Sequence, residues 1–148
     1  MRSFRVVSDR AKKGEVSLEI NGQDLDQLFA NSAKAVEQTL VAPQEIKKAQ
    51  IRNVNLQAKN IPELLFQFLS DIVFLKETYQ LLFSQYEISV NQKAVSLAGK
   101  LKGEQFDPKR HRLRMAVIGI KKGGFVLKKV GDFWRAEMTL ETAAPKNG

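Results

Sequence analysis

Gly103-Glu104-Gln105-Phe106-Asp107-Pro108-Lys109-Arg110-His111 lies between two apolar, strand-like runs and has the form GE-x-FDP-x-x-H. Glycine at one end and Asp-Pro near the other are turn formers, so the stretch reads as an ordered loop joining two strands. Working outward, Phe83 to Val90 and Val95 to Leu101 read as strands before it. Arg112 to Ile120, Phe125 to Val130 and Phe133 to Leu140 read as strands after it. Asn91-Gln92, the Gly103 loop, Lys121 to Gly124 and Gly131-Asp132 separate them, and this punctuation predicts a meander.

Further upstream, Phe4 to Ser8 and Glu15 to Ile20 alternate in the manner of half-buried strands, with Asp9 to Gly14 as a charged turn. Asp24 and Asp26 open a helix whose Leu25, Leu28, Phe29, Ser32, Val36 and Leu40 recur at helical spacing, and Pro43 ends it. Ile46 to Lys59 alternates again, with Ile51, Val54 and Leu56 inward and a phase change near Asn53 that marks a bulge. Asn60 with Glu63 resembles a capping box, and Pro62 is tolerated in a first turn, so a helix is predicted from about Ile61 to Thr78. It is apolar nearly all round, which places Phe66, Phe68 and Phe74 in the core, together with Trp134. The expectation is an α+β fold, an antiparallel-dominated β-sheet layered with two α-helices in a single domain. Residues 1–142 make that domain and 143–148 a loose tail.

Composition narrows the chemistry. A chain of 148 residues with 43% hydrophobic and 27% charged residues can bury roughly two thirds of its unfolded surface in one core. Leu64 to Leu75 is the most apolar stretch, but Gln67, Ser70 and Asp71 break it, so no membrane span is expected. The N-terminus lacks an apolar signal region, and a cytoplasmic location follows as the default. Without cysteine, a thiolate zinc site and a cysteine nucleophile are excluded, and a single histidine leaves little for imidazole chemistry. A metal would have to be oxygen-bound, which suits calcium, magnesium or manganese. Net charge is +8, yet from Lys93 to Arg135 twelve Lys and Arg face only Glu104, Asp107 and Asp132, a local +9 against −1 elsewhere. Such asymmetry points to a surface that meets phosphate or an acidic partner.

The loop, together with the ending Phe133 to Glu141, resembles archease, a small cytoplasmic protein associated with the RNA ligase that seals tRNA halves. Gly22-Gln23-Asp24-Leu25-Asp26-Gln27-Leu28-Phe29 is similar to the family's first helix start, and Asn60 to Leu69 to its second helix. The resemblance covers most of residues 4 to 142. It implies a divalent-cation site, calcium or another hard ion, built from an HTAD tetrad near the N-terminus and a terminal Asp-Ile. Counting back from Gly22 puts the tetrad on Lys12-Lys13-Gly14-Glu15, and counting forward from Phe4 brings Asp9 there instead. Glu141-Thr142 matches the Asp-Ile pair, so the implied metal residues are Glu15, Glu141 and Asp9. A further signature, K-A-V-T-Y-H, falls on Ile118 to Gly123, where its lysine and histidine are replaced. Gly103, Glu104 and His111 are the positions that match the family's loop.

Two functions are consistent with these residues. The resemblance implies a non-catalytic accessory protein that promotes guanylylation and turnover of an RNA ligase in tRNA splicing or RNA repair. Its partner would be that ligase or another RNA-processing protein. The alternative is an RNA-binding module on the same scaffold, with Lys109, Arg110, Arg112, Arg114, Lys121, Lys122, Lys128 and Lys129 contacting phosphates. In that reading Arg112 and Arg114 share one strand face. His111 reads as loop packing or a side-chain hydrogen bond, since no carboxylate partner for a catalytic dyad is visible. An independent enzyme is not expected, because no nucleophile, acid-base pair or phosphate-cradling glycine loop is present.

Overall fold

The computed structural model of the chain describes residues 3–41 and 46–144. The first hairpin comprises β1 (Phe4–Arg10) and β2 (Glu15–Gly22), joined through a single 3-10 turn at Ala11–Lys13. Helix α1 (Leu25–Leu40) begins at Asp24, whose carboxylate accepts the Gln27 N–H at 2.8 Å. The predicted stop at Pro43 lies outside the described residues. Strand β3 (Gln50–Gln57) leads to helix α2 (Ile61–Tyr79), where Asn60 accepts the Glu63 N–H at 2.9 Å and Pro62 sits in the first turn. Five strands follow, β4 (Leu81–Asn91), β5 (Ser96–Gln105), β6 (Ala116–Ile120), β7 (Val126–Val130) and β8 (Phe133–Ala143).

The α+β class with two helices and antiparallel pairing is as expected, but the strands form two sheets. One contains β1, β2, β8 and β6 in that order, with β7 also on β8, and the other runs β3-β5-β4. The predicted meander is therefore broken after β5, and β6 pairs with β8 rather than with its neighbours in sequence. Helix α1 packs on β2 and on β4 and so touches both sheets, while α2 lies against β6 and the smaller sheet. Because α1 is covered on two sides, its buried set is wider than the predicted stripe and takes in Ala33, Ala35 and Glu37. The core joins Leu18, Ile20, Phe29, Phe68, Ile72, Leu82, Phe83 and Leu140.

Several boundaries move. Gly103 and Glu104 belong to β5, so the loop begins after Gln105. Residues 112–115 are not strand, because their backbone is drawn to the end of α1, where the Arg114 N–H bonds Leu40 O at 2.8 Å and Leu113 bridges Val41. β8 continues through buried Thr142 to Ala143, so the first residue assigned to the tail belongs to a strand, and positions 145–148 lie outside the described residues. Register shifts occur in β1, β4 and β6, whereas β3 pairs in continuous register. Ile51 is 57% exposed and Phe74 is 55% exposed, both outside the core. Phe74 instead stands edge-on to Tyr79, whose ring is covered by Arg52 at 5.1 Å. Trp134 is half-buried against the core. Among the described residues no helix is long and apolar enough to cross a membrane.

Candidate functional site

The GE-x-FDP-x-x-H stretch closes on itself around Glu104. Asp107 organises the turn, since its carbonyl accepts the N–H groups of Arg110 and His111 and its carboxylate accepts that of Lys109 at 2.9 Å. The Asp107 N–H donates to His111 Nδ1 at 2.8 Å, so the ring proton lies on Nε2 and points to Glu104 Oε2 at 3.1 Å. A carboxylate partner for His111 therefore exists, contrary to the sequence reading, and Glu104 supplies it from the end of β5. It also accepts the Lys47 N–H at 2.6 Å and an ion pair from Arg110. Burial opposes ionisation of Glu104, but the hydrogen bonds from Arg110, the Lys47 backbone and His111 outweigh it and hold the carboxyl at about 2. Both nitrogens of buried His111 are engaged, and its ring stacks on Phe106 at 6.0 Å. This arrangement ties the loop to the segment before β3 and leaves no open base.

Glu104→Ala is expected to strand the Lys47 and His111 donors and to cost about 2 kcal/mol, read as a lower urea midpoint. Because the folded carboxyl titrates below its ordinary value of 4.5, that stability is present above pH 4.5. It fades as pH falls toward 2. A variant with an unchanged midpoint at pH 7 would show that the cluster contributes nothing.

The carboxylates implied by the resemblance come together in part. Glu15 and Glu141 are directly opposite each other in the β2–β8 ladder. Asp9 pairs with Val16, a position of the opposite face, and Arg10 takes the place across from Glu15. Lys121, just past β6, forms an ion pair with Glu15. That bond and the charge of Lys121, aided by Arg10 and Lys13, hold the Glu15 carboxyl below its usual range. Among the described residues no three His, Asp or Glu side chains are grouped to hold a metal ion. A hard cation wants six or more oxygen ligands, and here two carboxylates already face an ammonium, so the residues present do not fit one.

The basic residues are dispersed. Arg112 and Arg114 lie before β6, and Arg114 donates to Gln38 O at 3.2 Å. Lys121 and Lys122 lie beyond its other end. Lys122 stands over Phe66 at 5.3 Å and Lys129 over Trp134 at 5.7 Å, while Arg110 is paired with Glu104. Lys109 and Lys128 are exposed, Lys128 on β7 opposite Arg135. The Lys121–Glu15 contact was missed because it joins positions 106 residues apart, with no local signature.

Comparison with known proteins bears on the family and the fold. The model of the Archease protein family (MTH1598/TM1083) matches residues 9–141. Protein archease of Sulfurisphaera tokodaii is 22% identical over 120 residues, covering 81% of this chain and 86% of that protein. The Saccharolobus islandicus protein is 26% identical over 141 residues, covering 89% and 99%. The solution structure of Methanobacterium thermoautotrophicum protein 1598 superposes with a TM-score of 0.81 at 21% identity, covering 95% of this chain and 99% of that one. The Thermotoga maritima archease, described as a possible chaperone, superposes at 0.59 with 9% identity, covering 86% and 91%.

Proposed function

Because the chain belongs to the archease protein family, we propose that it is a non-catalytic accessory protein to an RNA ligase, promoting the ligase's guanylylation and turnover in tRNA splicing or RNA repair. The match over residues 9–141 is the observation that carries this reading. Two features of the chain support it. The single histidine is committed at both nitrogens to loop structure, and no cysteine is available as nucleophile, so a helper role on another protein suits these residues better than chemistry of their own. The buried Glu104 cluster gives residues 105–111 one rigid shape, which lowers the ordering cost of docking.

The test uses the RNA ligase of the same cell with substrate in excess. Adding the intact protein is expected to convert single-turnover joining into multiple turnover and to raise the guanylylated fraction of ligase. An unchanged joining rate and guanylylated fraction would overturn the proposal. The exposure of Lys109, Arg112 and Arg114 on one segment favours direct RNA contact as a second reading. It requires RNA affinity to fall with salt at a log-log slope of about −0.7 per phosphate neutralised. Arg112→Glu with Arg114→Glu should flatten that slope.

A further inference from the structure

Along the outward face of β2 and β8, acid meets acid twice. Glu15 lies opposite Glu141 and Glu19 opposite Glu137, with Ser17 and Thr139 between them sharing a hydroxyl bond of 2.8 Å. Like charges directly opposite in a ladder repel, so each pair requires a cation. For the second pair the chain supplies two guanidiniums. Arg5 reaches Glu19 from β1 at 3.1 Å, and Arg135 reaches it from β8 at 3.6 Å while also bonding Asn21 at 2.9 Å. Arg5 and Arg135 thus serve as internal counter-ions.

The first pair is served in the same way from β6. Gly119 faces Glu141 in the ladder, and a Cβ there would stand 3.2 Å from Glu141 Oε1, so the carboxylate lies over a bare backbone. Two residues on, the Lys121 N–H is fixed to Thr139 O at 2.9 Å, and the side chain bonds Glu15. We propose that the Lys121 ammonium occupies the place of a divalent cation between Glu15 and Glu141, so that the chain neutralises this acidic pair itself and is indifferent to metal there.

The surroundings agree. A divalent ion entering between the carboxylates would have to displace the Lys121 ammonium and sit near Arg10 and Lys13, a repulsion with no third carboxylate among the described residues to offset it. The ammonium is itself favoured in its charged form, first by its bond to Glu15 and then by the charges of Glu15 and Glu141.

The experiment is calcium and manganese titration of the full chain by calorimetry, with melting in EDTA and in excess ion. Wild type is expected to show no saturable heat and a Tm unchanged within about 1 °C. Lys121→Met is expected to gain calcium-dependent stabilisation of about 3 °C or more, and to lose it when Glu15→Gln and Glu141→Gln are added. Lys121→Arg should remain indifferent to ions, and Lys121→Gln serves as the neutral variant if Lys121→Met does not fold. Saturable calcium binding by wild type that Glu15→Gln abolishes would overturn the proposal. So would a folded neutral variant that ignores both ions. These readouts are ion binding and melting, so their outcome is independent of whether a ligase is stimulated.

Discussion

Gly103→Ala is expected to abolish stable folding. A Cβ at this position would stand 1.8 Å from Leu82 O and 2.7 Å from Phe83 Cα, both backbone atoms of β4 that no rotamer change can move. The cause is the register shift between Phe83 and Gln85, which brings the Leu82 carbonyl under β5 where Gly103 faces Phe83. Relief requires separating two paired strands beside buried Leu82 and Phe83, so the cost should exceed about 4 kcal/mol, at the extreme of single substitutions. Gly123→Ala is the control, since a Cβ there meets nothing within 4 Å, and its effect should stay within about 0.5 kcal/mol. Circular dichroism and urea unfolding of the two variants decide the matter. A Gly103→Ala protein melting within a degree or two of wild type would mean that β4 and β5 do not approach as described.

Glu37→Gln is expected to stabilise the protein increasingly as pH rises. Glu37 is 3% exposed on α1, and neither carboxylate oxygen has a hydrogen-bond partner. Burial pushes its carboxyl up to about 8, and the nearby Phe83 N–H, which falls short of hydrogen-bond geometry, and the Lys76 charge offset this only in part. Tyr86 is the other titratable group facing it, and its phenol is pushed well above 10, first by burial and then by Glu37. The sign follows from proton binding. Below pH 4.5 both folded and unfolded chains hold the proton, and nothing is lost. Between 4.5 and about 8 the unfolded chain releases it and the folded one does not, so stability declines, by about 3 kcal/mol at pH 7, and the full loss is reached above pH 8. Glutamine keeps the shape without the titration. Urea midpoints at pH 5 and pH 8 should therefore diverge between the two proteins, and parallel profiles would show that Glu37 is not buried as an acid.

Local signals were legible and long-range partnerships were not. The Asn60 cap, the helix start at Asp24, the α1 stripe and the β1–β2 hairpin depend on neighbours a few residues apart, and all appear in the structure, although β1 does not alternate, with Val6 and Val7 both exposed. Residues 112–115 mimic a strand by alternating exposure, but their hydrogen bonds go to α1, which no periodicity discloses. The division into two sheets turns on β8 pairing with β2, a choice made by the core rather than by either strand. Glu15 and Glu141 were identified through family resemblance, and their register makes them neighbours. Lys121 looked like one cation among many, and only the edge pairing of β6 brings it to Glu15. Glu37 had a readable trace, since it continues the Phe29–Ala33 row of the helix, where an acid breaks the apolar pattern.

The central place of β8 also bears on how the chain matures. Three strands, β2, β6 and β7, take hydrogen bonds from it, and the Ser17–Thr139 bond spans 122 residues. On the ribosome, β2 emerges long before the strand it pairs with, so its edge toward β8 has no hydrogen-bonding partner while α1 can already cover its apolar face. The larger sheet therefore cannot join β2, β6 and β7 until residues 133–143 have been made, and its assembly is a late event in the order of synthesis.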